Sequence, residues 1–348
     1  MKIKSTELKR LIAAVKPTIP TSTTLPILRN ILIRAGGGKV TVTSSNGNIQ
    51  LDATGECEGE LSIVVPPERL LPAANAGPEM SIDLDQSQLK IKCGRSRYTA
   101  NGIAASEFPL HDEPADEGWI ELPTIASALS AVAFSAAEKD IQRPFLNGVK
   151  LDVSSGALRA SGTNGYRLAI HRGDAPADVS ANVLIPRPVA TLLSAMNATR
   201  VMLLPARIVA KTDHLRLSAQ TMNATYPDVE RVVPAMKKTV TMDTAALREA
   251  LIGLEGYAMD AGSPQVKIVQ SGGELRLSAR TAKDEEEAVS SLPADGDDHE
   301  VVLAFRQFKE VIDRISSETT TIGWSDCSQS ARRVDDGGTT YVLMPFKV

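Results

Sequence analysis

The chain has 348 residues, 43% of them hydrophobic, with 38 Lys and Arg against 42 Asp and Glu and a formal charge of −4. Apolar residues are plentiful enough for a core in each of several domains, and the acidic balance excludes a broadly basic surface while leaving room for a local basic face. Cys57, Cys93 and Cys327 are too few and too scattered to suggest a disulfide framework or a zinc knuckle. The N-terminal MKIKSTELKR lacks a signal-peptide apolar run and no stretch reaches membrane length, so a cytoplasmic setting with no membrane partner is expected.

In chain order, Met1 to Lys4 reads as a short strand, and Ser5-Thr6-Glu7 supplies caps for a helix through Val15 with Leu8, Leu11, Ile12 and Val15 on one stripe. Leu25 to Ala53 then alternates in period two through a Gly36-Gly37-Gly38 turn to Asn46-Gly47, the pattern of antiparallel strands. A strand enters a second helix near Pro66, with Leu70 and Leu71 expected inside and Arg69 free. Further strands close on Phe108-Pro109, and His111 to Gly118 is an acidic connector.

The same grammar returns from Ile120. A strand precedes a helix over 123–137, apolar at Ile125, Leu129, Val132 and Phe134. Arg143 to Ile170 then reads as strands joined by turns at Ser155-Gly156 and Thr163-Asn164-Gly165. Val183 to Met196 is the second strand and helix, and the unit closes on Tyr226-Pro227. A third pass begins near Lys238 with the Asp243-Thr244 cap and a long helix, and ends on Met344-Pro345. Asn147 lies 117 residues after Asn30, Gly165 lies 118 after Gly47, and Val266 lies 117 after Val149. Three hairpins at one offset, each flanked by two helices, indicate an internal triplication. The expected architecture is α+β, with three two-helix, antiparallel-sheet domains over 1–118, 119–237 and 238–348.

Chemistry is conspicuous by what is missing. The chain has no GxGxxG, no Walker loop and no CxxC. His111, His171, His214 and His299 lack metal-ligand spacing and read as hydrogen-bonded or solvated side chains. The run Asp284-Glu285-Glu286-Glu287 reads as a solvated strand end or turn, so neither cofactor, metal site nor catalytic residue is expected. Lys9, Arg10, Lys16, Arg69, Arg187, Arg248, Arg306, Lys309 and Arg314 fall in or beside the six helices, which hints at one basic face. The terminal Tyr341 to Val348 is apolar almost to its end, which is unusual for a chain terminus.

The motifs TLPILRNILI, GRSRY, EFP, RPFLNG, TNGYRLA, IPR, YPDVERVVP and terminal YVLMPFKV, in this order over the whole chain, resemble the bacterial DNA polymerase III β subunit family, the sliding clamps. The resemblance implies a non-enzymatic processivity factor: a head-to-tail homodimer of three-domain protomers whose helices line a lumen for duplex DNA, each protomer half of the ring. It implies DNA contacts at Lys9, Arg10, Arg69, Arg143, Phe145 and Arg187, and a dimer interface near Tyr98, Leu254 and Tyr257. It also implies a groove for short peptides of polymerase and clamp-loader subunits, formed by Leu146, Thr163, Gly165, Tyr166, Arg167, Leu168, Pro227, Arg231, Val232, Val342, Leu343, Met344, Pro345 and Phe346. The family commonly has Asp-Gly-His-Arg where this chain has Asn164-Gly165-Tyr166-Arg167, and helix 123–137 carries no Lys or Arg. A peptide-binding module derived from a clamp, gripping partners without being loaded on DNA, is the alternative function.

Overall fold

The computed structural model describes residues 1–112, 118–204, 206–282, 286–325 and 330–346. Most of the His111–Gly118 connector, Lys283-Asp284-Glu285, Cys327 and the last two residues lie outside them. Among the described residues, eight strands and two helices recur three times in one order.

The first pass is β1 (Lys2–Lys4), α1 (Ser5–Val15), β2 (Ile31–Gly36), β3 (Lys39–Ser45), β4 (Ile49–Glu56), β5 (Leu61–Val65), α2 (Pro67–Ala74), β6 (Glu79–Asp85), β7 (Gln88–Cys93) and β8 (Ser96–Asn101). The second is β9 (Ile120–Glu121), α3 (Ile125–Ala133), β10 (Gly148–Ser154), β11 (Ala157–Thr163), β12 (Arg167–Asp174), β13 (Ala181–Pro186), α4 (Arg187–Met196), β14 (Arg200–Leu204), β15 (Arg207–Lys211) and β16 (Leu215–Gln220). The third is β17 (Lys238–Asp243), α5 (Thr244–Asp260), β18 (Gln265–Ser271), β19 (Glu274–Arg280), β20 (Glu287–Gly296), β21 (His299–Ala304), α6 (Phe305–Ile312), β22 (Thr319–Trp324), β23 (Arg332–Asp336) and β24 (Thr339–Leu343).

The chain forms two compact units. One comprises Met1–Ala126 and Leu192–Thr221, the other Ser127–Thr191 and Met222–Val348. The first holds a four-stranded sheet, β1-β6-β7-β8, and an eight-stranded sheet, β5-β2-β3-β4-β16-β15-β14-β9. The second holds one twelve-stranded sheet, β13-β10-β11-β12-β24-β23-β22-β17-β20-β19-β18-β21. Among the described residues every ladder between named strands is antiparallel, as the short turns require. The strands of the second pass are thus shared between two sheets, β4 with β16 in one and β12 with β24 in the other.

Local chemistry explains the repeated elements. The three first hairpins turn at Gly37-Gly38, Ser155-Gly156 and Gly272-Gly273, all with positive φ at both positions. Those torsions give the turn whose twist matches that of the flanking strands. In α1 the stripe Leu8, Leu11, Ile12 and Val15 is fully buried against β3 and β4, worth roughly 1.5–3 kcal/mol per large side chain. Asp243 caps α5 by accepting from the Ala246 amide at 2.7 Å.

Several local expectations change. Ser5 is buried inside α1 and Lys4 occupies the cap position with no side-chain bond, because the chain enters the helix directly from β1. Leu71 is 36% exposed while Leu70 is fully buried, since consecutive helical residues point about 100° apart. The 123–137 helix is confined to Ile125–Ala133, and Ser135 to Ala137 continue as turns bonded to Val132, Ala133 and Leu146 carbonyls.

The chain after each pass is tied back to an edge strand. Ile103 exchanges amide bonds with Val64 of β5, Met222 donates to Leu184 of β13, and Phe346 donates to Val302 of β21. This third tie accounts for the apolar C-terminus: Phe346 closes a sheet edge, as Ile103 and Met222 do upstream.

Candidate functional site

Within the second unit, a groove of about 360 Å³ is lined by Arg143, Phe145, Leu146, Thr163, Gly165, Tyr166, Arg167, Leu168, Pro227, Asp228, Val229, Val232, Val342 and Met344. Its floor comes from β12 and β24, paired with Leu168 opposite Val342 and Arg167 opposite Leu343. One wall is the short helical turn Val229–Val232, started by Asp228, whose carboxylate accepts from the Glu230 amide. Leu168, Ile170, Val229, Ala331 and Val342 form the apolar cluster beneath, with Tyr226 and Val233 packed on it. Tyr166 and Met344 stand on the rim, 64% and 45% exposed.

The β11–β12 turn is built by side chains. Thr163 Oγ1 donates to the Arg167 carbonyl and accepts from the Gly165 amide, while Asn164 Oδ1 accepts from the Tyr166 and Arg167 amides at 3.0 and 2.9 Å. Gly165 has φ +88°, and a Cβ there would sit 2.9 Å from Arg143 Nη1. Glycine therefore serves two needs: the backbone conformation and the approach of Arg143, itself held by Asp140 at 3.0 Å.

Arg167 is the one charged group in the floor. Its Nη1 bonds to Glu310 of α6, its Nη2 donates to the Phe134 carbonyl, and its guanidinium lies 4.9 Å from the Phe134 ring centroid. Burial pushes this guanidinium below its ordinary value, Glu310 pulls it back up, and Arg187 and Arg314 lower it again. The opposite wall is tied electrostatically as well. Glu230 accepts from Arg172 at 2.6 Å and pairs with Arg159 at 3.5 Å. The Tyr226 phenol is pushed up by burial and donates to the Ser161 carbonyl, so it serves as packing.

Ten of the fourteen expected groove residues line this groove: Leu146, Thr163, Gly165, Tyr166, Arg167, Leu168, Pro227, Val232, Val342 and Met344. Arg231 is exposed and paired with Asp228, Leu343 is buried in β24, and Pro345 and Phe346 run on toward β21. Arg143 and Phe145, expected at DNA, line the same groove. Of the other expected DNA contacts, Arg10 is exposed on α1 and bound to Glu7 at 2.6 Å, Lys9 is half-buried beside it, and Arg69 is exposed on α2. Arg187 donates to the Ala136 carbonyl at 3.2 Å. At the expected dimer contacts, Tyr98 is half-buried on β8 and Tyr257 is exposed, but Leu254 is buried in its own core and offers no surface. Ile252, 63% exposed on the same helix, went unnoticed.

Asp228 and Val229 were also missed as lining residues, although both follow directly on Tyr226-Pro227. No sequence signal pairs Glu310 with Arg167, 143 residues away. Among the described residues no group of His, Cys, Asp and Glu is placed to hold a metal, and no helix is long and apolar enough to cross a membrane. His111 bonds to Ser218 and the Gly47 carbonyl, and His171 to Thr339.

Two family models match: the DNA polymerase III beta subunit N-terminal domain over residues 1–112 and its central domain over 120–228. The beta sliding clamp of Pseudomonas putida is 28% identical, with 93% of each chain covered. That of Vibrio cholerae is 24% identical over 99% of each. Among solved structures, the Pseudomonas aeruginosa sliding clamp bound to griselimycin matches with a TM-score of 0.89 at 25% identity, covering 100% of this chain and 99% of that one. The Bacillus subtilis clamp reaches the same TM-score at 18% identity, covering 100% and 98%, a likeness of fold. With its thrice-repeated α+β clamp fold and full-length relatives, the chain belongs to the DNA polymerase III beta subunit family, the beta sliding clamps.

Proposed function

We propose that the protein acts as a DNA sliding clamp whose two copies close head to tail around duplex DNA, and that the groove receives a short peptide from polymerase or clamp-loader subunits. The observation that carries the closure is a strand edge left over at each end of the repeat. β4 pairs with β16 and β12 with β24, so the last strand of each first hairpin set joins the last strand of the next pass. In the third pass, residues 287–293 of β20 pair on one side alone among the described residues. In the first pass, β8 is an edge strand among the described residues. A second copy satisfies both edges twice, in agreement with three repeats per protomer and boundaries near 118 and 237.

Such a ring holds DNA by topology, so a net charge of −4 is compatible with its task. Direct contacts need only a few cations on phosphates and no base readout. The groove suits an aliphatic or aromatic anchor, because its lining is apolar apart from Arg143, Arg167, Asp228, Thr163 and the Tyr166 hydroxyl.

The test is loading onto nicked circular DNA with a clamp loader and ATP, followed by a high-salt wash and then linearisation. The clamp should survive the wash on circles and leave once an end is cut. Equal loss from circular and linear DNA would replace this reading with the peptide-binding module that is not loaded.

A further inference from the structure

Behind one wall of the groove, two arginines face each other. Arg159 of β11 and Arg172 of β12 are direct cross-strand partners in the antiparallel ladder. Like charges placed opposite one another destabilise a sheet unless an anion lies between them. Here the anion comes from outside the sheet. Glu230, in the turn Val229–Val232 that walls the groove, accepts from Arg172 Nη2 with its two oxygens at 2.6 and 2.8 Å and pairs with Arg159 Nη1 at 3.5 Å. Both guanidinium groups are also held to neighbouring strands. Arg159 donates to Asp152 of β10 at 2.9 Å, and Arg172 to Thr340 of β24 at 3.5 Å. Four strands therefore order two cations around one carboxylate, and such a network is the case in which partly exposed ion pairs contribute.

The space behind the wall is polar. A hollow of about 520 Å³ is lined on the sheet side by Lys150, Asp152, Arg159, Ser161 and Asn182, and on the other by residues 224–229. Pro227, Asp228 and Val229 line both this hollow and the groove, so the segment is a partition between them. Ahead of the turn, the Tyr226 hydroxyl donates to the Ser161 carbonyl, and Val229 is fixed in the apolar cluster under the floor. At the far end, Val232 lines the groove and is 54% exposed. Arg231 turns back to Asp228 at 3.0 Å, which leaves the arginines of the sheet to Glu230.

We infer that the Arg159–Arg172 pair is a receptor for Glu230, and that this latch sets the position of the groove wall. Glu230 does not line the groove. It is a positioning residue, acting on a bound peptide through Val232 and the turn that carries it. The inference rests on the peptide-groove reading and deepens it. Capture of an uncharged, apolar anchor comes to depend on ion pairs that the anchor never touches. Salt screens such partly exposed pairs, so it loosens the wall without acting on the peptide.

Fluorescence anisotropy of the full chain tests it, with an end-blocked peptide that has Leu and Phe anchors, no charged residue and an uncharged dye. E230Q should bind about threefold more weakly than the wild type at low salt. That gap should close at about 1 M salt, where exposed pairs are screened. E230R sets a third cation against the arginine pair and should bind about tenfold more weakly. The swap E230R/R172E should return to within about threefold of the wild type. E300Q, the same neutralisation at the Lys267–Glu300 pair of β18 and β21, should leave the affinity unchanged. Circular dichroism melting checks that each variant is folded, and E230Q, which alters one partly exposed group, should melt with the wild type. Wild-type affinity in E230Q and E230R, a gap that persists at high salt, no recovery in the swap, or an equal drop in E300Q overturns the latch. M344D is scored beside them. If it weakens binding while E230R does not, the groove reading stands and the latch falls. If the wild type does not bind the peptide, both fall.

Discussion

Gly165 shows how much one residue settles in this groove. Its φ of +88° lies where a side chain is strained, and an added Cβ meets Arg143 Nη1 at 2.9 Å. Gly165→Ala should therefore cost about 1 kcal/mol of stability and move Arg143 off the rim. Titration of a fluorescent clamp-binding peptide should show weaker binding with the fold intact by circular dichroism. Unchanged affinity would show that Arg143 contributes nothing to the rim.

Two histidines set a pH dependence at the same scale. Burial lowers His171, which bonds to Thr339 across the β12–β24 seam. Burial also lowers His299, whose ring packs tilted against Trp324 with centroids 4.2 Å apart, with Asp297 opposing and Arg332 assisting. A base held below its unfolded value binds fewer protons in the folded state than in the unfolded state. The stability is present above the ordinary value of 6.5 and is lost as pH falls through it toward the folded values. Urea denaturation should show the midpoint declining between about pH 7 and pH 5, and His171→Asn should flatten that decline.

At the scale of elements, the Asn-Gly turn is the repeated device. Asn46 Oδ1 accepts from the Asn48 and Ile49 amides, and Ser45 Oγ from that of Gly47. Asn164 and Thr163 do the same for Tyr166, Arg167 and Gly165. Identical bonding 118 residues apart means that Asn46→Ala and Asn164→Ala should have similar costs, about 1 kcal/mol each for the lost capping bonds. Hydrogen exchange should report faster exchange at residues 48–49 in one variant and 166–167 in the other. No acceleration in either would show that the strands alone hold the turns. The β12–β24 floor has its own test. Met344→Asp exchanges an apolar rim contact for a carboxylate, and should weaken peptide binding by about tenfold or more without unfolding the chain, because an apolar anchor seated in the groove would strip water from that charge.

For the molecule as a whole, the free edges of β8 and β20 and the exposed Ile252 and Tyr257 on α5 are the surfaces a second copy should cover. Light scattering at micromolar concentration should give twice the 37.1 kDa of one chain. Ile252→Asp should shift it to the single-chain mass with an unchanged melting profile, since that side chain stands in water in the isolated protomer. A wild-type mass of one chain would leave the ring without its second half.

The sequence alone determined whatever depends on neighbours along the chain. Period-two alternation set the strands, positive-φ glycines set the hairpin turns, and a constant offset revealed three copies of one plan. The floor of the groove was legible for the same reason: TNGYRL and YVLMP are local motifs, and their residues fall on two adjacent strands. Tertiary structure decided what depends on residues far apart. It put Glu310 against Arg167, turned Leu254 inward and Ile252 outward, laid Arg143 over Gly165, set Arg167 and Arg314 over the Phe134 ring, and brought Arg187 to the Ala136 carbonyl. Burial and charge pairing are sums over neighbours in space, and a side chain's spacing along the chain does not say which partners, 50 to 150 residues away, the fold will bring to it.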